Sequence, residues 1–444
     1  MCKKQKASTM LKPFTRGPAQ VRTGVAAFAE LSLTTRPQDQ FIKEFRSLKV
    51  IKNSHIVSAF KTFYMLINSK LPNVGTTIFT TMSALAREHN AINLSQGFPD
   101  FGCDGKLLEL ANTHMQNGFN QYAPMQGVIQ LRETIASIIS ACYNANYHPD
   151  SEITVTAGAT QGIYTSIAAF IHKGDEVIVF EPAYDCYIPA IELHGAKAIP
   201  LQLTYPNFSI NWEEVKQHIN SNTRMIIINS PHNPSGTTLT QKDLQQLESL
   251  VKDKNILVLS DEVYEHMAFD GKPHQSVARF PTLKQQSIIV SSFGKTVHTT
   301  GWKIGYVAAP EYLMKEFRKV HQFLVFAVNH PFQLALAGFL SQKENYLELK
   351  NFYQQKRDLF RKLISSSRFT IEPCTGTYFQ LLNYSTITQE ADTEYAIRLT
   401  KEAKLACIPL SVFYTKNTDY KLLRFCFAKK TETLEKAAEV INKL

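Results

Sequence analysis

The chain has 444 residues, of which 44% are hydrophobic and 19% charged, a composition typical of a soluble globular protein large enough for two domains. It contains no run of about 18 consecutive apolar residues, which argues against a transmembrane helix. Nine of its ten net positive charges fall within the first 61 residues, so the nearly neutral remainder offers no basic surface for nucleic acid or for a membrane.

Residues 1–65 differ from the rest of the chain. They are basic, poor in acidic residues and interrupted by three prolines, and only residues 41–50 have a short amphipathic pattern. Three interpretations remain open: a disordered extension, an organelle transit peptide, which is typically Arg-rich and acid-poor, or an upstream translation artefact with Met65 as the working start. We favour the first and the third.

The body of the chain alternates between strand-like and helical patterns. Apolar runs predict strands at residues 153–156, 176–180, 224–229, 256–260 and 287–290. Helical patterns lie between them, as at residues 160–171 and 239–252. This alternation predicts a mostly parallel sheet that is covered by helices on both faces.

The C-terminal third contains longer helical patterns, which favour a smaller α+β domain. These patterns cover residues 311–326, 346–365, 390–403 and 431–444. We therefore predict a large domain over residues 109–325 and a small domain that combines residues 66–108 with residues 326–444. The large domain should contain the sheet, and a ligand should bind at the carboxyl ends of its strands.

Two short motifs follow predicted strands in the first half of this body. In residues 156–162, small residues open a helix, where backbone N–H groups, together with Thr160, form an anion site. The alternative is a simple tight turn at Gly158. In residues 230–236, two prolines fix a turn from which Asn233 projects its side-chain amide, although a plain proline turn is the alternative.

Two further motifs follow the next predicted strands. Asp261 and Tyr264, three residues apart, face one side of a turn or an opening helix, unless Asp261 is only a helix N-cap. Lys295 follows the last strand, where partial desolvation lowers the pKa of an amine and makes it a nucleophile. The alternative is a surface lysine in a loop.

Taken together, in this order and spacing, the four motifs resemble the fold-type-I aminotransferases. The resemblance extends from about Leu71 to Leu444. Further segments resemble the kynurenine/glutamine transaminase branch, at residues 93–101, 120–122, 181–185 and 424–427. Two others are similar to bacterial methionine aminotransferases, at residues 75–79 and 121–125. The resemblance implies an α/β fold, with a mixed, mainly parallel sheet in a large domain and a smaller α+β domain, and pyridoxal phosphate as the cofactor.

The resemblance also implies roles for the residues around the cofactor ring. Lys295 should bind the cofactor as a Schiff base and later move the substrate proton. Asp261 should pair with the pyridine nitrogen, which keeps the ring an electron sink. Tyr264 and Asn233 should donate to the 3′ oxygen, and Tyr184 should stack on the ring face.

The cofactor phosphate is expected to bind a second group of residues. The resemblance assigns it to the backbone of Ala159 and Thr160, to Ser292 and to Lys303, where many relatives have arginine. Tyr122 matches a tyrosine that reaches the phosphate of the partner subunit. The resemblance therefore implies a homodimer.

The substrate should bind beside the ring. Arg424 matches the arginine that binds the α-carboxylate, with Asn233 and the backbone of Gly97 nearby. Phe79 matches a large aromatic residue that, with Ile78 and Tyr184, favours a neutral, apolar or aromatic side chain. No second arginine is assigned to a distal carboxylate, which argues against aspartate specificity.

The sequence contains no CxxC pair and no metal-ligand spacing among its seven scattered cysteines. This pattern predicts reduced thiols, a cytoplasmic protein and no bound metal.

These residues lead to one preferred function and two alternatives. The preferred function is transfer of the amino group of methionine, and of aromatic or other neutral amino acids, to a 2-oxo acid. The first alternative is a pyridoxal-phosphate-dependent C–S β-lyase that acts on cysteine conjugates. The second is a non-enzymatic, aminotransferase-like regulator fused to a DNA-binding module, although residues 1–65 lack the amphipathic helices of such a module.

Overall fold

The computed structural model describes residues 68–444, so the predictions for residues 1–65 lie outside the described residues. In chain order, the strands are β1 (Ile92–Asn93), β2 (Ile153–Thr156), β3 (Glu176–Glu181), β4 (Lys197–Gln202), β5 (Thr223–Asn229), β6 (Leu257–Asp261), β7 (Ser287–Ser292), β8 (Gly305–Ala308), β9 (Thr370–Ile371), β10 (Phe379–Asn383), β11 (Leu405–Ala406), β12 (Ile408–Pro409) and β13 (Leu422–Cys426).

The helices cover both the strand connections and the C-terminal region. In chain order, they are α1 (Ile78–Glu88), α2 (Gly105–Gln116), α3 (Ile129–Tyr143), α4 (Ala159–Phe170), α5 (Tyr187–Leu193), α6 (Trp212–His218), α7 (Gln241–Val251), α8 (Pro281–Gln285), α9 (Phe293–Thr296), α10 (Glu311–Leu324), α11 (His330–Leu340), α12 (Glu344–Leu347), α13 (Leu349–Leu363), α14 (Asp392–Lys401) and α15 (Thr431–Ile441). None of these helices is long and apolar enough to cross a membrane.

Seven strands form the main sheet, in the order β2-β8-β7-β6-β5-β3-β4. All neighbours in it are parallel except β8, which is antiparallel to both β2 and β7. The sheet is therefore mixed and mainly parallel, which confirms the predicted fold class. Its central strands are apolar without alternation, as in the run Met225 to Ile228 of β5, because both faces of the sheet are buried.

A smaller antiparallel sheet, in the order β12-β13-β10-β9, lies in the C-terminal region. A two-stranded parallel sheet joins β1 to β11 and so ties the beginning of the described chain to this region. Residues Lys70–Leu444 form one compact unit. The division into a large domain over 109–325 and a small domain over 66–108 and 326–444 stays a prediction.

The strands of the main sheet bring the four motifs together. Strands β5, β6 and β7 are parallel, and they end at Asn229, Asp261 and Ser292. Strand β2 runs in the same direction as β7, because each is antiparallel to β8, and β2 ends at Thr156. All four strands thus end at one edge of the sheet, and the motif that follows each of them begins at that edge.

Candidate active site

A cleft of about 250 Å³ opens at this edge of the sheet. It is lined by every predicted site residue except Tyr122, namely Phe79, Gly97, Ala159, Thr160, Tyr184, Asn233, Asp261, Tyr264, Ser292, Lys295, Lys303 and Arg424. It is also lined by residues that the sequence did not single out, namely Gln96, Phe98, Ile163, Asn229, Val263, Thr300 and Phe379. The structure therefore collects residues that are more than 300 positions apart in sequence.

A second cleft, of about 340 Å³, lies on the other side of residues 96–98, next to helix α15. Two lysines line it, Lys429 and Lys436, and Lys429 donates a hydrogen bond to the Phe98 carbonyl oxygen over 2.9 Å. This second cleft contains none of the four strand-end motifs. The reactive groups meet in the first cleft, which we therefore take as the candidate active site.

Lys295 lies in the short helix α9, directly after β7. Its Nζ donates hydrogen bonds to the Gly97 carbonyl oxygen over 2.9 Å and to Tyr378 Oη over 2.7 Å. Burial lowers the pKa of this amine to about 8, and the nearby cations of Arg424 and Lys303 act in the same direction. About half of the amine is therefore neutral near pH 8, which excludes the alternative of an ordinary surface lysine.

Asp261 is the last residue of β6 and only 3% exposed. Its carboxylate accepts hydrogen bonds from Tyr187 Oη over 2.5 Å and from the backbone N–H of Val263 over 3.2 Å. Burial raises the pKa of this carboxyl to about 6. No helix begins at the residues that directly follow Asp261, so Asp261 is not a helix N-cap. A cation beside it would be stabilised and would lower the pKa of the carboxyl again.

Two positively charged features meet where α4 begins. Gly158 precedes the helix with a φ of +78°, and in the described part of the chain no side-chain hydrogen bond caps the start of the helix. A methyl group added at Gly158 would lie 3.2 Å from Lys303 Nζ, so the ammonium lies against this helix end. An ammonium beside the positive end of a helix dipole suits an anion such as phosphate. A simple tight turn at Gly158 would not account for the position of Lys303 beside the start of the helix.

Arg424 lies in β13 and is 1% exposed. It donates to Asn233 Oδ1 over 2.7 Å and to the Ser95 carbonyl oxygen over 3.2 Å. Its guanidinium lies 4.0 Å from the ring centre of Phe379 and 5.3 Å from that of Phe79. Burial lowers the pKa of this guanidinium, but arginine keeps its charge in proteins. No carboxylate hydrogen-bonds to it within the described residues, so an anionic ligand would balance its charge.

Tyr122 lies outside the cleft. Its side chain is 80% exposed, and its ring contacts that of Phe326 with a centre-to-centre distance of 5.1 Å. Its predicted role at the phosphate of a partner subunit stays a prediction.

The sequence analysis missed three residues that touch the reactive groups. Tyr187 donates a hydrogen bond to Asp261, and Tyr378 accepts one from Lys295. The ring of Phe379 contacts the guanidinium of Arg424. Tyr187 is three residues after Tyr184, which could have drawn attention to it. Tyr378 and Phe379 lie far from the four motifs and carry no pattern of their own, so only the folded chain brings them to the cleft.

An amine that is half neutral near pH 8 can attack a carbonyl group, and the guanidinium and helix end in the same cleft are ready to bind carboxylate and phosphate. The fold and the cleft thus define a class of enzymes that carry out carbonyl–amine chemistry on anionic ligands. Residues 89–441 match the family described as aminotransferase class I and II. The chain belongs to this family and is an aminotransferase.

Similar proteins are known over most of the chain. A methionine aminotransferase of Escherichia coli strain K12 is 49% identical over 381 residues, which cover 86% of this chain and 99% of that protein. A crystal structure of an Escherichia coli protein, described as having a methionine aminotransferase function, is 49% identical in sequence and has a TM-score of 0.84. The match covers 86% of this chain and 100% of that protein's chain. The human kynurenine–oxoglutarate transaminase 3 is 30% identical and covers 91% of this chain and 95% of its own.

Proposed function

We propose that this aminotransferase uses pyridoxal phosphate to move the amino group of methionine, and of aromatic or other neutral L-amino acids, to a 2-oxo acid. The observation that carries the proposal is the cleft in which the amine of Lys295, the carboxylate of Asp261 and the guanidinium of Arg424 face one another. The methionine aminotransferase that is 49% identical to this chain supports the choice of substrate.

The donor set of the cleft fits the cofactor group by group. Lys303 and the free N–H groups at the start of α4 suit its phosphate, and the buried carboxylate of Asp261 suits a protonated pyridine nitrogen. The rings of Tyr184 and Tyr264 also line the cleft, the first for stacking and the second to donate to the 3′ oxygen. When bound, pyridoxal phosphate supplies an electron sink for the bonds at the substrate Cα.

The residues of the chain do the remaining work. Lys295, with its lowered pKa, can accept a proton from the substrate Cα near neutral pH and deliver it again from the same flexible side chain. Asp261 keeps a negative charge where a ring cation needs one. Arg424 orients the substrate by its α-carboxylate. Asn233 Oδ1 accepts a hydrogen bond of 2.7 Å from the guanidinium, which fixes the position of Arg424.

The wall of the cleft favours a neutral substrate side chain. Phe79 and Phe98 line the cleft beside Tyr184, and they offer apolar contact to a thioether or an aromatic ring. Among the described residues that line the cleft, Arg424 is the only arginine. A second carboxylate on the substrate would therefore lack a guanidinium partner, so dicarboxylic amino acids should be poor donors.

An absorbance experiment tests the proposed function directly. We expect the purified protein with pyridoxal phosphate to be yellow, to lose this colour when methionine is added, and to regain it with a 2-oxo acid. The bleaching step should release one molecule of the keto acid of methionine for each molecule of cofactor converted. Release of pyruvate and ammonia from a cysteine conjugate, without transfer of the amino group, would instead identify a β-lyase. A protein that stays colourless would contradict both enzymatic functions.

Replacement of Arg424 by lysine should weaken substrate binding. Lysine keeps the positive charge but loses the planar pair of donors, so we expect the KM for methionine to rise by about tenfold to a hundredfold. Steady-state kinetics measures the change. Arg398→Lys is the matched control, because Arg398 pairs with Glu390 at a half-exposed position. An unchanged KM in Arg424→Lys would contradict the role of Arg424.

We also propose a homodimer in which Tyr122 reaches the phosphate site of the partner subunit. The 80% exposure of Tyr122 supports this, because an exposed tyrosine paired with the half-exposed Phe326 is suited to an interface. Tyr122→Phe should weaken cofactor binding by about tenfold, through loss of one charge-assisted hydrogen bond. Tyr312→Phe, at another exposed tyrosine, is the control. A monomer in sedimentation velocity, at a concentration at which the protein is active, would contradict this role.

A cytoplasmic location completes the proposal. The cysteines in the described part of the chain are free, as expected in a reducing compartment.

A further inference from the structure

Tyr378 makes a contact with the reactive amine that the proposed function does not use. The hydroxyl lies 2.7 Å from Lys295 Nζ, and both groups also bind the carbonyl oxygen of Gly97. Amine, hydroxyl and carbonyl thus form a closed triangle beside the cleft, which Gly97 and Lys295 line. Tyr378 has no accessible surface, so water does not compete for these hydrogen bonds.

The direction of each hydrogen bond in this triangle is fixed. A phenol has a single hydrogen, and Tyr378 donates it to the carbonyl oxygen of Gly97. Its lone pairs are therefore left to accept from Lys295 Nζ. A carbonyl oxygen and a phenol oxygen together hold two of the hydrogens of the amine, which restricts where the amine and its remaining lone pair or hydrogen can point.

The structure also fixes the position of the Tyr378 hydroxyl. The carbonyl oxygen of Tyr378 accepts from the backbone N–H of Phe427 over 2.9 Å. Its ring packs at centre-to-centre distances of 5.3 Å against Tyr264, 5.6 Å against Tyr353 and 4.9 Å against Phe379. A side chain held from the backbone and from three sides can position another group accurately.

We propose that Tyr378 is a positioning residue for Lys295. Its hydroxyl holds the free amine beside Gly97 while the amine is not covalently bonded to another group. This inference rests on the proposed function, because only a lysine that moves a proton needs such an orientation. The amine has to point to its proton donor and acceptor in turn. A displacement of about 1 Å is enough to lower the rate of such a step by about a hundredfold.

The contact should change the proton affinity of the amine. An acceptor stabilises the charged ammonium more than the neutral amine, so loss of the Tyr378 hydroxyl should lower the pKa of Lys295 further. Other groups face the same amine and remain in place in such a variant, namely Asp261, Tyr264, Lys303, Arg424 and Cys426. A shift on loss of one hydroxyl is therefore attributable to that hydroxyl.

Two tyrosine variants form a matched pair for the test. Tyr378→Phe removes the hydroxyl and keeps the ring contacts. Tyr353→Phe removes the hydroxyl of the neighbouring buried tyrosine, which has no hydrogen-bond partner among residues 68–444. Both variants keep their aromatic packing, so both are expected to fold, and circular dichroism with thermal melting verifies this.

The first measurement needs no turnover. The full-length protein, stripped of cofactor, is acetylated with acetic anhydride between about pH 6 and about pH 10, and mass spectrometry follows the peptide that contains Lys295. We expect a midpoint near pH 8 in the native protein. The midpoint should fall by about one pH unit in Tyr378→Phe and should not move in Tyr353→Phe.

The second measurement separates positioning from substrate binding. With methionine as donor, kcat should fall by about tenfold to a hundredfold in Tyr378→Phe while KM changes by less than about twofold. An unshifted labelling midpoint in Tyr378→Phe, or an equal shift in Tyr353→Phe, would overturn the inference. A third result is a native protein that shows no transamination, while the labelling midpoint still shifts in Tyr378→Phe and not in Tyr353→Phe. That result would overturn the proposed function and still support the contact between Tyr378 and Lys295.

Discussion

Replacement of Lys295 by alanine is expected to abolish transamination, with a fall in kcat for methionine of about 10⁴-fold or more. The substitution removes the amine that we propose bonds to the cofactor and moves the substrate proton, and general acid–base catalysis alone contributes about 10²- to 10⁴-fold. Lys303, the other lysine of the cleft, lies at the start of α4, where it suits the phosphate. It is not expected to replace Lys295.

Borohydride reduction provides a second measurement for this variant. In the native protein, reduction should attach the cofactor permanently to the peptide that contains residue 295, which mass spectrometry detects. In Lys295→Ala, no such adduct should form. Lys356→Ala is the control, because this half-buried lysine donates to the carbonyl oxygen of Lys429 and does not line the cleft. An adduct on Lys303 in the native protein would show that the wrong amine has been assigned.

The main sheet was predictable from the sequence because its inner strands are buried on both faces. The predicted strand at 153–156 has the observed bounds, and the other predicted strands differ from the observed ones by at most two residues at either end. Strand β4 was missed because Lys197, Pro200 and Gln202 interrupt its apolar pattern at the edge of the sheet. Strand β8 was missed because it has only four residues and follows a loop rich in polar residues.

Helix boundaries were less accurate than strand positions. The predicted helix at 346–365 is divided at Glu348 into α12 and α13, although its apolar periodicity is continuous. Helices α1, α2, α3 and α11, among others, were not predicted by position. Helix α11 is apolar on nearly all sides, with eight of its eleven residues buried, so it lacks the amphipathic period that identifies a surface helix.

The residues of the cleft were predictable where a motif at a strand end or the family resemblance marked them, and the others were missed. Lys295 and Asp261 stand in motifs at strand ends, and the order of those motifs carried the family resemblance. Tyr378 and Tyr187 act on these two residues through contacts that span 83 and 74 positions of sequence. A tyrosine outside any motif has no local property that separates such a contact from ordinary core packing.

Replacement of Asp261 by asparagine is the second change for which we expect a large effect. Asparagine has nearly the same shape and can still accept the hydrogen bond of Tyr187, which in the native protein spans 2.5 Å. What it lacks is the negative charge that would stabilise a cation in this buried place. We therefore expect kcat for methionine to fall by about 10³-fold, which lies within the range of about 10²- to 10⁴-fold that general acid–base catalysis contributes.

The effect should fall on turnover and not on substrate binding, because the methionine carboxylate is assigned to Arg424, not to Asp261. The KM for methionine should therefore change by less than about fivefold. Asp392→Asn is the matched control: Asp392 is 1% exposed and accepts hydrogen bonds from Ser411, yet it lies outside the cleft. This control should lower the melting temperature and leave kcat nearly unchanged. If Asp261→Asn turned over at a near-native rate, then the buried charge at the end of β6 would serve the fold alone, and the pairing of Asp261 with the cofactor ring would have to be abandoned.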